Sequence, residues 1–317
     1  MRGGIRMKKA RIIYNPTAGR EAFKKELPEV LERLEKAGYE TSTHATTGEG
    51  DASIAATHAC ENKFDLVVAV GGDGTINEII NGIAKEEYRP KIGIIPAGTT
   101  NDFARALDIP RNILKATGII VADKSMHIDI GLVNEQYFMN IAAGGELTEL
   151  TYEVPSKLKT VIGQLAYYVK GMEMLPFVKP THTRIEYDDE VIDEEIMLFL
   201  LSNTNSVGGF EKLAPKAKIN DGYFDLLILR KTNIAEFIRI ASQVLRGAHL
   251  DDPNVIYTQA KNVKVIPSDR MQLNIDGEYG GLLPGEFHNL QQHIEFFVPE
   301  SFLADYEDDE EIDQEEI

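Results

Sequence analysis

Phe64-Asp65-Leu66-Val67-Val68-Ala69-Val70-Gly71-Gly72-Asp73-Gly74-Thr75 joins an apolar run to a glycine-rich turn. Such a run reads as a strand, and the glycines that follow let main-chain N–H groups turn toward an anion. The arrangement recurs, since Ile92 to Ile95 leads into Pro96-Ala97-Gly98-Thr99-Thr100-Asn101-Asp102. An Asp embedded in such a loop can hold Mg²⁺, and Thr or Asn can bond phosphate oxygens. A phosphate site built twice over makes a nucleotide the leading ligand.

Outward from these loops, residues up to about 130 alternate between the two periodicities. Strands are expected at Ala10 to Tyr14, Glu40 to Ala45, Asp65 to Val70 and Ile92 to Ile95, and helices at Glu21 to Gly38, Asp51 to Cys60 and Ile76 to Ala84. A βαβ series implies a parallel sheet with helices on both faces. Ligands in such sheets gather beyond the carboxyl ends of the strands, where Asn15 to Gly19, Ala45 to Gly48, Gly71 to Thr75 and Pro96 to Asp102 all fall.

From about residue 127 the pattern changes to short strands separated by turns: Ile128 to Val133, Tyr137 to Ile141, Thr183 to Tyr187, Glu195 to Ser202, Tyr223 to Leu229, Val263 to Pro267, Met271 to Ile275 and Ile294 to Val298. Repeated hairpins predict an antiparallel sandwich, interrupted by helices at Lys157 to Leu175 and Ile234 to Arg246. The expected organisation is a domain over residues 1–130, rejoined at about 299–306, and a second over 131–298.

The chain of 317 residues is 43% apolar, enough for two sizeable cores, with a formal charge of −18. Nine carboxylates and no cation lie in Asp305 to Ile317, so the remainder carries −9 and the tail reads as disordered and solvated. An acidic body argues against nucleic acid, whose phosphates need basic stripes. The single Cys60 excludes a disulfide framework and fits a reducing compartment. Ile196 to Leu201 is far short of the roughly 20 apolar residues that cross a bilayer, and no secretory leader is evident at the N-terminus. These features together predict a soluble cytoplasmic protein. Met7-Lys8-Lys9 leads straight into the first strand and is a second possible start.

Neither standard nucleotide fingerprint is present, and a plain strand-to-helix turn explains some Gly-Gly-Asp-Gly-Thr strings. The companion loops at the same sheet edge weaken that explanation. Six ordered segments carry a resemblance: Ile12 to Gly19, Gly71 to Thr75, Pro96 to Arg105, Pro155 to Lys159, Asn220 to Tyr223 and Asn274 to Gly280, with Met7 to Val298 as the span. Through them the chain resembles the bacterial soluble diacylglycerol kinases, within the wider group of diacylglycerol, sphingosine and ceramide kinases. The N-terminal motifs alone would also suit NAD kinases and, more loosely, phosphofructokinases. Ala18 stands where Ser is common in the family.

The resemblance implies an α/β plus all-β fold: an N-terminal parallel three-layer α/β nucleotide-binding domain, of NAD-kinase and phosphofructokinase type, and a C-terminal antiparallel β-sandwich. It implies ATP and Mg²⁺, with ATP in an interdomain cleft. Groups of Asn15, Pro16, Thr17, Ala18, Gly19, Gly72, Asp73, Gly74 and Thr75, extending to Ile76, Asn77 and Glu78, with Thr46 and Thr99, would hold the nucleotide. Asp73, Asp102 and Asp129 would surround Mg²⁺ directly or through water; Asp129 reads equally as a structural strand-end carboxylate. Glu278 would be the general base, its alternative a solvated hairpin Glu.

Asn220-Asp221-Gly222-Tyr223 reads as a hairpin apex, to which the resemblance adds a structural Mg²⁺ held by Asp221 and the carbonyls of Lys218 and Tyr223. The implied reaction phosphorylates sn-1,2-diacylglycerol to phosphatidic acid and feeds phospholipid synthesis. Its rivals are another lipid hydroxyl, such as a sphingoid base or ceramide, NAD as acceptor, and a non-catalytic nucleotide-binding regulator. A bilayer-bound substrate calls for contact with the inner face of an anionic membrane, for which Arg20, Lys157, Lys159 and Lys170 are candidates. The segment Leu158 to Leu175 reads alternatively as a core-packed helix with a solvated basic side, and a homodimer is admitted.

Overall fold

A computed structural model describes residues 7–18, 22–145, 179–205, 213–304 and 306. The chain divides into two units: the described residues up to Ile128 together with those from His293 onward, and Asp129–Gln292. Expectations for Met1 to Arg6, Gly19, Arg20, Lys157, Lys159, Lys170, the helix over Lys157 to Leu175, and most of the acidic tail lie outside the described residues.

The first unit follows the βαβ reading. β1 (Lys8–Tyr14), α1 (Ala22–Lys36), β2 (Tyr39–Ala45), α2 (Asp51–Glu61), β3 (Leu66–Gly71), α3 (Asp73–Ile83) and β4 (Lys91–Pro96) alternate. The strands pair in parallel in the order β2-β1-β3-β4. Every residue of β3 is buried, as a central strand covered on both faces requires. α3 presents Ile76, Ile79, Ile80 and Ile83, all fully buried, at the i, i+3, i+4, i+7 spacing of one helix face. Each such burial contributes about 1.5–3 kcal/mol. α2 packs with α3, and α1 with a helix that the sequence reading missed, α5 (Ile113–Val121), which follows the short α4 (Asp102–Ala106).

α3 begins three residues earlier than expected, so Asp73-Gly74-Thr75 is its first turn and not a loop. The unit also recovers the chain earlier than expected. β5 (Ser125–Val133) and the long final strand β15 (Gly285–Phe297) both run across the boundary between units, and Phe296 pairs in parallel with Ile92 of β4. The rejoining segment therefore starts at His293 rather than at about 299.

The second unit is antiparallel. Its strands are β6 (Gln136–Phe138), β7 (Ile141–Gly144), β8 (Thr181–Tyr187), β9 (Glu190–Ser202), β10 (Phe224–Arg230), β11 (Val255–Ala260), β12 (Asn262–Pro267), β13 (Gln272–Ile275) and β14 (Glu278–Leu282), with α6 (Ile234–Val244) after β10. The first half of β9 pairs with β8 and its second half with β7 and β10. In that second half neighbouring residues enter different cores. Phe199 and Leu201 join Leu226, Ile228, Val263 and Phe287, whereas Leu200 joins Leu227, Leu229 and Ile240 of α6. Burial on both faces explains why Ile196 to Leu201 is an unbroken apolar run.

Three expected elements change form here. The strand expected over Tyr137 to Ile141 is two, β6 and β7, interrupted at Met139 and Asn140. β9 starts five residues early, because its first half alternates exposed and half-buried residues and carries little apolar signal. Asn220 to Tyr223 leads into β10 and is not the apex of a hairpin between adjacent strands.

Candidate functional site

Hydrogen bonds beyond the strand ends gather the expected loops of the first unit. Asn15 N donates to Val70 O at 3.1 Å, Thr46 N to Tyr14 O at 2.9 Å, and Ala97 N to Gly71 O at 2.8 Å. The Asn15 side chain organises its own loop by accepting from Thr17 N at 3.0 Å and Thr17 Oγ1 at 2.8 Å. Behind Thr46, Asp51 accepts from Thr47 N and Oγ1 at 2.7 and 2.8 Å and contacts His44 Nε2 at 3.0 Å. This supporting carboxylate was not singled out from the sequence.

The two glycine loops touch through their backbones. A Cβ on Gly98 would lie 2.4 Å from Gly72 Cα, so only glycine permits the approach. Asn101 then locks the second loop. Nearly fully buried and left-handed (φ 54), it accepts from Gly98 N at 2.9 Å, donates from Nδ2 to Gly98 O at 2.8 Å, and donates its own N–H to Asp73 Oδ2 at 2.8 Å. Its side chain is thus a loop clamp instead of the phosphate ligand that Asn in this string suggested. Two arginines hold the same loop from outside: Arg105 donates to Thr100 O at 2.9 Å, and Arg111 donates to Thr99 O at 2.9 Å and Thr100 O at 3.1 Å.

Asp73 is the electrostatic centre of this arrangement. Burial pushes its carboxyl above the usual carboxylate range, while the amides of Asn101, Phe103 and Asp102 pull it down. Asp73 and Asp102 are therefore neighbours, and Asp102 Oδ1 lies 3.5 Å from Arg105. Asp73 Oδ1 is buried with no hydrogen-bond partner among the described residues. Leaving a buried charged oxygen unsatisfied costs several kcal/mol in the absence of a cation or donor.

α3 supplies the complementary feature. Gly72, its N-cap, has no side chain to bond the first-turn N–H groups, which a helix start leaves without intrahelical partners. The later residues of the string have other tasks. Ile76 is in the core with its N–H bonded to Gly72 O at 3.1 Å, Asn77 Oδ1 accepts from Asn81 at 3.0 Å, and Glu78 accepts from Ala52 N at 3.2 Å at the start of α2. Gly74 is open: a Cβ there would meet nothing within 4 Å. Gly74→Ala is expected to raise the melting temperature, since Ala favours a helix over Gly by up to about 1 kcal/mol. If the first turn takes a nucleotide phosphate, the same methyl would obstruct it and weaken ATP binding about tenfold, or about 1.4 kcal/mol. Calorimetric titration together with a melting curve checks both signs, and unaltered ATP affinity would move the anion elsewhere.

The remaining expected site residues belong to the second unit. Asp129 is buried, and both its oxygens are engaged: Oδ1 accepts from Gln292 N and Oδ2 from Gly222 N, each at 2.6 Å. Burial pushes its carboxyl up to about 6, the neighbouring Asp221 charge adds to this, and the two amides oppose it. Asp129 thus ties two backbone positions together, and it lies in the middle of β5 and not at a strand end as the sequence suggested. Asp221 accepts from Tyr223 N at 3.0 Å and from Gln259 Nε2 at 3.3 Å. Glu278 is exposed at the start of β14. The turn preceding it is Asp276-Gly277, and both turn residues have positive φ.

Among the described residues no three His, Cys, Asp or Glu side chains could together hold a metal ion. A cation at Asp73 would thus rely on few protein oxygens, waters and ligand phosphates, which suits Mg²⁺. No helix among the described residues is long and apolar enough to cross a membrane.

Residues 9–133 match the diacylglycerol kinase catalytic domain, and residues 149–298 match the YegS C-terminal NAD kinase beta sandwich-like domain. Similarity extends over whole chains. A diacylglycerol kinase of Bacillus subtilis is 62% identical over 303 residues, covering 95% of this chain and all of that one. A diacylglycerol kinase of Staphylococcus epidermidis is 54% identical over 292 residues, 92% of each chain. The crystal structure of a diacylglycerol kinase from Bacillus anthracis superposes with a TM-score of 0.80 at 27% identity, over 93% of this chain and 99% of that one.

Proposed function

The chain belongs to the bacterial soluble diacylglycerol kinase family, and from that membership and the geometry we propose that it transfers the γ-phosphoryl group of ATP to sn-1,2-diacylglycerol. The products are ADP and phosphatidic acid, which returns diacylglycerol to phospholipid synthesis. One observation carries the reading within this molecule: the first turn of α3, without a side-chain cap, and the Asp73 oxygen that is buried and without a hydrogen-bond partner among the described residues lie on the same turn. The first suits an anion and the second a cation, as a Mg²⁺-nucleotide presents them together.

When bound, Mg²⁺ would neutralise charge on the phosphate oxygens. Asp73, with Asp102 beside it, would hold it on the protein side. The N–H groups of Gly72 to Thr75 and the Asn15 to Gly19 loop, with Thr46 and Thr99, bind and orient the phosphates. The P–O bond to ADP breaks as the lipid hydroxyl oxygen bonds phosphorus, and Glu278 accepts the hydroxyl proton. Asp129 fixes the backbone at Gly222 and Gln292. A second Mg²⁺ at Asp221, with the carbonyls of Lys218 and Tyr223, would brace the turn entering β10, and the raised Asp221 carboxyl, due mainly to burial, fits a group that gains from a cation. A bilayer-bound substrate would draw the enzyme to the inner membrane surface from the cytoplasmic side, with Arg20, Lys157, Lys159 and Lys170 as its basic contacts.

Transfer of label from γ-labelled ATP to diacylglycerol in mixed micelles, with sphingosine and NAD as parallel acceptors, tests this. Labelled phosphatidic acid is expected, with little label in the other two. Preferential labelling of sphingosine or NAD would reassign the acceptor, and no transfer to any would leave a nucleotide-binding regulator.

A further inference from the structure

Asp276 is one of the most heavily engaged side chains of the second unit, yet the reaction as described gives it no task. It opens the two-residue turn between β13 and β14, with φ 50 followed by φ 93 at Gly277, the pair of positive values that a tight type I′ hairpin demands. Its carboxylate, partly buried, is engaged by the backbone. Oδ2 accepts from Met139 N at 2.9 Å, and Oδ1 accepts from Asn140 N at 2.8 Å and Ile141 N at 3.0 Å. Its own N–H donates to Ile141 O at 3.0 Å. One residue of the turn is thus tied to both residues between β6 and β7 and to the first residue of β7.

That segment is itself fixed from behind. Asn140 accepts from Thr204 Oγ1 at 3.1 Å and, through its carbonyl, from Asn203 N at 2.9 Å. Asn203 is in turn held by Asn289 at 3.2 Å. Asn140, Asn203, Thr204 and Asn289 are all buried, so the network is shielded from water and rigid. On the other side of the turn, Gly277 N donates to the buried Asn274 at 3.0 Å. Glu278 follows directly, paired with Ile275 across the hairpin. Glu278 is exposed as the first residue of β14, and the turn sets the backbone from which its side chain projects.

We propose that Asp276 is the positioning residue for Glu278: by bonding the Met139, Asn140 and Ile141 amides it sets the turn from which the base reaches the acceptor hydroxyl. The inference rests on the reading of Glu278 as general base. An Asn at 276 keeps the shape but replaces one acceptor oxygen by an NH₂ that faces an N–H donor, so at least one of the three bonds becomes a repulsion. A misplacement of about 1 Å in a reacting group costs about 10²-fold.

The test is a double-mutant cycle on the full chain with Asp276→Asn, Glu278→Gln and the double variant, reading kcat, ATP KM and melting temperature. Asp276→Asn is expected to lower kcat about 10²-fold with ATP KM unchanged. In the Glu278→Gln background it should cause no further loss, an epistasis that general weakening of the fold does not produce. Losses that multiply in the double variant, or an unaffected single variant, overturn the positioning role and leave the base reading intact. Full turnover in Glu278→Gln removes the base reading itself. Should Asp276→Asn fail to fold, Asn274→Ala, which removes the acceptor for Gly277 N, takes its place in the same cycle with the same criteria.

Discussion

Replacement of Asp73 by Asn is expected to lower turnover by about 10²–10³-fold, the range typical of losing one electrostatic stabiliser at a reacting centre, while the melting temperature changes little. The two halves of that expectation come from the two oxygens of the side chain. Oδ2 accepts from Asn101 N at 2.8 Å, and a carboxamide oxygen can keep that bond, so the link to the second glycine loop survives. Oδ1, buried and unpartnered among the described residues, is the atom placed to meet a cation, and an NH₂ there repels one. Burial already opposes the ionised form of Asp73, so the neutral amide removes a strain as well as a function. Steady-state kinetics across a Mg²⁺ titration, beside a melting curve, decide the matter. Undiminished turnover at every Mg²⁺ concentration would leave Asp73 as no more than a tie between loops.

What could be read from the sequence was local. The Leu66 to Val70 run, the glycines after it and the isoleucine stripe of α3 lie within 20 residues, and period and turn chemistry sufficed to place them at one sheet edge. Asn101 was visible as a member of a motif, but its bond to Asp73 spans 28 residues and gave it a different task. The break between β6 and β7 had no local signal. Its amides are satisfied by Asp276, 135 to 137 residues further along, and without that partner Tyr137 to Ile141 reads as one strand. Asp129 is the same case on a longer scale, its oxygens bonded to residues 93 and 163 positions away. β9 shows the opposite limit, where a polar half carries no pattern strong enough to mark its start.

Glu278→Gln is expected to lower kcat about 10²–10⁴-fold, the usual contribution of a positioned general base. The substitution keeps the size of the side chain and one acceptor oxygen, but an amide cannot take the hydroxyl proton as phosphorus is attacked. Because Glu278 is exposed at the first residue of β14, no core packing is disturbed and the melting temperature should be unchanged. The loops proposed to hold ATP lie in the other unit, so ATP affinity measured by calorimetry should also persist. These expectations separate three roles. A solvated hairpin Glu would give wild-type kinetics, and a nucleotide contact would raise ATP KM and weaken calorimetric binding. Loss confined to kcat belongs to a group acting in the chemical step. That loss should be equal for long-chain diacylglycerol in micelles and for a soluble short-chain analogue, since proton transfer from the hydroxyl is common to both. A defect seen only on micelles would place Glu278 at the lipid surface and take the base role from it.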